Sequence, residues 1–394
     1  MDQTRHIAGT EKNSVLKPEK GRERAPHTKP PFTYADIKKA VPPHCFERSI
    51  VRSFSYLAFD LIFGYFFYVT ATTYMITKPE SFSSGLVYLF NWSVYSLLQG
   101  SAFAGLFFLG HECGHHAFTD YEWLDDTVGY IIHTVILWPY FSFKYSHRRH
   151  HAKTGHVTQE EVETPMVKSQ VPYAFRIVKH TAGRLLAVIF LLFSGVPLYL
   201  FFNFRGRTYE RFASHLDPTS PMFSSRQRNY ILLSNLGIFA VIFGLYKLAM
   251  IKGFAWVAFV YVGPYLVQGA IVTMITTLQH IDRTVPYYDS TEWDWLRGSL
   301  ASIDRDYGTI LNVVFHHGPT SHVAHHLFPS MPHYHGDEAT RAFKQVLGEY
   351  YQYDDTPFYK ALWNILNECI YVEEDAGDKS KGVFWYRSIS DYLL

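Results

Sequence analysis

The sequence predicts an all-α integral membrane protein, a four-span helical bundle with a cytosolic cap that carries a cluster of histidines. Three observations predict it. Of the 394 residues, 48% are hydrophobic, yet mean hydropathy is near zero, because the apolar residues are gathered into long blocks with polar stretches between them. There are 21 histidines, and nine fall in three short boxes, His111-Glu112-Cys113-Gly114-His115-His116, His147-Arg148-Arg149-His150-His151 and His322-Val323-Ala324-His325-His326. Each box lies outside the apolar blocks, where polar sequence resumes.

Taken in order, residues 1–29 are rich in Lys, Glu and Pro and read as a disordered tail. No apolar core of a signal peptide is present there, so the first apolar block is expected to act as the membrane signal. Thr33 caps a short helix with Asp36 in its first turn, and Pro42-Pro43 ends it. Lys29, Lys38, Lys39, Arg48 and Arg52 precede the first block, which places this end in the cytosol. Tyr56–Ile76 and Leu86–Leu109 are each long enough to span, joined by a short non-cytosolic turn over Thr77–Gly85. Box one therefore emerges on the cytosolic side. Asp60 lies within the first span, where a packing or hydrogen-bonding role is favoured.

Gly129–Phe143 is short and broken by Pro139, so it is expected to dip into the interface and leave box two on the side of box one. A basic loop follows, with Lys144, Arg148, Arg149, Lys153, Lys168, Arg176 and Lys179. Leu185–Phe204 holds Gly195 and Pro197 and is expected to be broken and interfacial. Tyr230–Met250 and Phe254–Leu278, joined only by Ile251-Lys252-Gly253, form the second crossing pair, with a kink at Pro264. An even number of later crossings puts box three beside the other two, and both termini in the cytosol. Beyond Gln279 the chain is polar, with an amphipathic helix expected over Gly336–Tyr351.

Net charge is +1, so charge makes no case for nucleic acid. The three cysteines, Cys45, Cys113 and Cys369, are far apart and suggest neither a disulfide framework nor a Cys-x-x-Cys site. No phosphate-binding glycine loop, haem domain or flavin domain is evident, so a redox function needs electrons from another protein.

Histidines three or four apart share a helix face. Each box is therefore expected to point two or three imidazoles one way. Neutral imidazole suits iron, zinc, copper and nickel. A single tetrahedral zinc takes four ligands, so this many histidines imply two metals. The expected ligands are His111, His115, His147, His150, His151, His322, His325 and His326, with His280, just past the last span, as the ninth. His116 is rotated about 100° from His115 and is assigned a supporting place beside the metal. His316, His317, His333 and His335 are read as structural or supporting. His111-Glu112-x-x-His115 also matches the zinc-protease motif, but a protease leaves two boxes unexplained.

Beyond the boxes, the chain carries Pro42-Pro43-His44-Cys45-Phe46, Tyr288-Asp289-Ser290-Thr291-Glu292-Trp293-Asp294-Trp295-Leu296-Arg297-Gly298 and Met331-Pro332-His333-Tyr334-His335. On these residues it resembles the membrane-bound fatty-acid desaturases, above all the plant microsomal oleate (Δ12) type, over about Lys29–Tyr386. The resemblance implies a desaturase domain over residues 30–386, a C-terminal tail over residues 387–394, and a cap holding two iron ions. It also implies an endoplasmic reticulum membrane, electrons from cytochrome b5 and its NADH-dependent reductase, and a phospholipid-linked 18-carbon acyl substrate desaturated at carbon 12. Some positions depart from the ordinary Δ12 pattern. Gly110 stands where that pattern has Ala, Thr320-Ser321 where it has Asp-Thr, and Asp282 where a His is common; Ala152-Lys153-Thr154-Gly155-His156 after box two also differs. Gly110, His317, Thr320 and Ser321 are therefore candidates for setting selectivity. Related chemistry on the same scaffold includes acetylenation, conjugation, hydroxylation and epoxidation near carbon 12.

Overall fold

The computed structural model describes residues 22–75, 81–375 and 381–393. Helix α1 (Tyr34–Ala40) starts from a reciprocal cap in which Thr33 and Asp36 bond each other's backbone. Ser49 caps α2 (Ile50–Tyr74). Helix α3 (Phe82–Gly114) has 33 residues, about 50 Å of helix against a hydrocarbon core of about 30 Å. The surplus length carries box one out of the apolar layer without a break. Residues 76–80, which include the first part of the turn expected over Thr77–Gly85, lie outside the described residues.

Next come α4 (Glu122–Val135) and α5 (Tyr140–Lys153), divided at Pro139, the N-cap of α5. Helices α6 (Thr181–Phe202) and α7 (Arg228–Lys252) follow. Gly253, with φ +94°, turns the chain directly into α8 (Phe254–Val257). A π-turn over Ala258–Val262 joins α8 to α9 (Gly263–His280). The kink expected at Pro264 takes this form. Proline lacks the N–H that would meet the Val260 carbonyl, and the Tyr95 hydroxyl donates to that carbonyl instead, at 3.0 Å.

Among the described residues, five helical runs are long and apolar enough to cross a membrane: α2, α3, α6, α7 and Phe254–His280. The break expected within Leu185–Phe204 is absent. Helix α6 runs through Pro197, and Gly195 serves close packing, since a Cβ there would lie 2.8 Å from Thr273 on α9. Helix α3 is the central element and packs on α2, α4 and α9. Large apolar side chains such as Leu61, Ile62, Phe66, Leu236, Phe239 and Phe243 remain exposed on α2 and α7, as lipid-facing surfaces require.

The polar region beyond the long helices is built mainly from the residues after α9. It holds α10 (Trp295–Ser299), α11 (Thr309–Val314), α12 (His322–Leu327), the strongly amphipathic α13 (Gly336–Leu347), α14 (Phe358–Glu368) and α15 (Ile389–Leu393). The all-α expectation needs a correction here. Strand β1 (Tyr287–Tyr288) pairs with β5 (Val383–Arg387), which pairs antiparallel with β4 (Tyr371–Glu374); β2 (Asp304–Arg305) pairs in parallel with β3 (Tyr353–Asp354). Val383, Trp385 and Tyr386 are buried, and such a β-branched and aromatic run favours a strand.

Residues 1–21 of the expected N-terminal tail lie outside the described residues; from Arg22 the chain contacts the polar region after α9. Arg22 pairs with Asp282 and Asp354, Ala25 N–H donates to the Thr284 carbonyl, and Arg24 lies over the Trp385 ring. At the other end Ile389 is buried against Val171, Val178 and Tyr371. Apolar and charged anchors thus hold segments whose composition alone reads as tail.

Candidate metal centre

Three helices and the end of a fourth bring nine imidazoles together. Helix α3 supplies His111 and His115 from its last turn, α5 supplies His147, His150 and His151, α12 supplies His322, His325 and His326, and α9 ends on His280. They form two groups. In one, the ligand atoms of His111, His115, His147, His151 and His325 all lie within 4.8 Å of one another; His150, His280 and His326 do the same in the other. His322 joins the second group, its Nε2 2.9 Å from His280 Nε2 and 3.0 Å from His326 Nε2. The tightest approach in the first is 2.7 Å, between Nε2 of His111 and of His147. The stacked rings of His151 and His326, 4.2 Å apart, link the two groups.

The boxes do not each point one way. His147 and His151, a full turn apart, face the first group while His150 faces the second; on α12 the pair His322 and His326 faces the second while His325 turns to the first. Both observations follow from 100° per residue.

Burial holds the His147, His151, His322 and His326 imidazoles well below their usual pKa, and neighbouring imidazoles add to this; His325 is pushed down to about 3. The rings are therefore neutral at physiological pH, the form that binds metal. Carboxylates stand behind them. Glu160, fully buried, accepts from His150 Nδ1 at 2.5 Å and is itself held by the N–H groups of Gly155, Glu161 and Val162. Glu112 lies 3.5 Å from His111 Nδ1 and accepts from the His333 N–H at 3.0 Å. Asp304 accepts from the Val323 N–H and fixes the start of α12. Such outer partners orient metal-binding imidazoles. Glu160 and Asp304 are absent from the sequence-based candidates. Their one signal is acidic residues placed near basic or histidine-rich turns, which composition cannot distinguish from a solvated face. Arg149 in the same box as His150 pairs with buried Glu161.

The remaining candidates fall elsewhere. His116 adopts φ +56° and turns to Glu122, away from both groups. His317 and Thr320 bond Asp337. Ser321 lines a cavity that reaches both groups, walled by Phe107, Leu191, Val196, Val272, Ile275 and Phe315. Gly110 is one layer back. A Cβ there would sit 2.2 Å from the His133 ring, which stacks on Phe107. Asp282 is taken up by Arg22 and Arg305. Asp60 fulfils its expected hydrogen-bonding role, 2.8 Å from His316 Nε2.

The family model for fatty acid desaturases matches residues 88–358, a stretch that contains all three boxes. The chain belongs to the fatty acid desaturase family. A domain of unknown function (DUF3474) matches residues 2–66. Relatives of this desaturase include the Delta(12)-fatty-acid desaturase FAD2 of Vernicia fordii, 53% identical over 92% of this chain and 94% of that one. The bifunctional desaturase/conjugase FADX of Vernicia fordii is 52% identical over 92% of this chain and 94% of its own length. The oleoyl-12-hydroxylase FAH12 of Ricinus communis is 52% identical over 93% of each chain. Three named activities thus stand at nearly equal identity.

Proposed function

We propose that this desaturase introduces a double bond at carbon 12 of an 18-carbon acyl chain carried on a phospholipid, in the endoplasmic reticulum membrane. The observation that carries this is the apolar cavity walled by Phe107, Val196, Val272 and Phe315 and ending against His111, His147, His280 and His322. A mid-chain methylene offers nothing for an acid or base to attack. Overall, O2, two electrons and two protons remove two hydrogens from neighbouring carbons, leaving a double bond and two waters. The nine clustered imidazoles fit two iron ions, which when bound would supply the oxygen activation and hydrogen removal. The chain's own part is to hold those imidazoles through Glu160, Glu112 and Asp304, to exclude water with an apolar wall, and to fix which carbon pair meets the centre. Its electrons come from cytochrome b5 and its NADH-dependent reductase.

Four helical runs, α2, α3, α7 and Phe254–His280, are proposed to cross, with both termini cytosolic and α6 lying along the cytosolic face. Both ends of α6 meet the box-two side, which supports this. Its start continues from Tyr173–Lys179, packed on α14 and α15. Its end leads to Arg205, paired with Glu163 and 3.3 Å from Thr277.

A diverged reaction near carbon 12 is favoured as the second reading by the similar identity to a hydroxylase and a conjugase. Expression in yeast supplied with oleate or linoleate, followed by chromatography of methyl esters, tests both. Linoleate formed from oleate is expected. A hydroxy, conjugated, epoxy or acetylenic product would select the second reading, and no new fatty acid where a control desaturase works would reject both.

A further inference from the structure

Two sequence stretches matched in the family leave residues unused by the histidine centre, Pro42–Phe46 and Met331–His335. The fold brings them together at the start of α13. His44 Nε2 lies 2.9 Å from Glu338 Oε1, and His335 Nδ1 lies 3.8 Å from Glu338 Oε2. The His44 and His335 rings are 5.6 Å apart. Cys45, fully buried, completes the group, and the four ligand atoms all lie within 4.8 Å of one another. The donors come from two stretches of chain that meet at the start of α13. The 3-10 turn Pro43–Phe46 supplies two, the turn His333–His335 one, and the first turn of α13 the last.

The geometry points to a second, separate metal site here, in which His44, Cys45, His335 and Glu338 bind a zinc-class divalent cation. Two nitrogens, one sulfur and one carboxylate oxygen are an ordinary tetrahedral zinc set, with ligand atoms about 2.0–2.3 Å from the metal. Such atoms stand roughly 3.3–3.8 Å from each other, so closing the site asks each side chain to move by less than about 1 Å. The mixture of thiolate with imidazole separates this site from the all-nitrogen centre. On binding, the Cys45 thiol gives up its proton to solvent and becomes the sulfur ligand. All four protein ligands are supplied, which leaves no open position, so the role is structural. It would clamp the segment before α2 onto α13 of the cap, beside the residues that precede and follow box three.

The test uses the full-length chain purified in detergent with its iron retained, after addition of Zn2+ or Co2+ and removal of excess. About one zinc per chain is expected beyond the iron, with a thiolate-to-cobalt absorption in the near ultraviolet for the cobalt form. Cys45→Ser and His335→Asn should lower retained zinc roughly tenfold or more, while iron content stays at the wild-type value. Cys369→Ser should leave the cobalt absorption in place. Exposed His44→Asn and Glu338→Gln give the same readout should Cys45→Ser fail to fold. No retained zinc and no cobalt–thiolate absorption in the wild type would overturn the assignment, as would zinc undiminished in all four ligand variants. Iron content reports on the histidine centre independently, so failure of one site is distinguishable from failure of the other.

Discussion

Gly110 illustrates how much a single missing Cβ can decide. Its departure from Ala, the residue at that position in ordinary Δ12 desaturases, reads as a selectivity signal in the sequence, yet in the fold the space is filled by the His133 ring, whose Nε2 also meets the Phe107 carbonyl at 3.1 Å. Gly110→Ala should therefore destabilise by about 1–3 kcal/mol through overpacking, and His133→Ala should relieve part of that loss. Thermal aggregation of the four proteins in detergent checks this coupling; strictly additive losses would contradict the contact. A changed product ratio with unchanged stability would instead assign Gly110 to selectivity. His215 offers a pH test. It is buried under box two, with Nε2 3.2 Å from Ser146 Oγ, and burial pushes its pKa down to about 3 from 6.5, partly offset by the Tyr199 carbonyl. The unfolded chain binds that proton more readily, so His215's contribution is fully present above about pH 6.5 and is lost as pH falls toward 3. His215→Asn should flatten the acid limb of melting temperature against pH, and an unchanged limb would count against this burial. At this scale the eight box histidines of the two groups are legible because their one-turn spacing survives folding. Glu160 is not, because its contact with His150 depends on how the chain after α5 folds back onto that helix.

Helices add what residues cannot show singly. The spacing in boxes two and three predicts shared faces, but only the fold reveals that α5 and α12 each serve both histidine groups. The path through Pro264 is a second element-level device. Its missing N–H would leave the Val260 carbonyl bare in an apolar surrounding, and Tyr95 supplies the donor from α3. Tyr95→Phe should cost about 1 kcal/mol. In a Pro264→Ala background, where a backbone N–H is restored, the same change should cost less. Melting temperatures in detergent measure both, and equal costs would refute the pairing. Pro264 is visible in the sequence as a kink; its remedy is not, because Tyr95 lies far away along the chain. Pro197 misleads in the other direction, since α6 continues through it with Gly195 packed on Thr273.

For the whole molecule, hydropathy locates all the long helices, and the boxes locate the site. Strands β1, β2 and β3 escape because they have two residues each, too short for any period. The anchoring of residues 22–29 escapes because ion pairs to Asp282, Asp354 and Asp375 link positions hundreds of residues apart. Everything converges on one claim, that imidazoles from four helices hold two irons at the end of an apolar cavity. Iron per chain in purified protein that still forms product tests it most directly. Two irons are expected, falling when His147 or His326 is replaced by Ala; active protein that contains no iron would contradict the account.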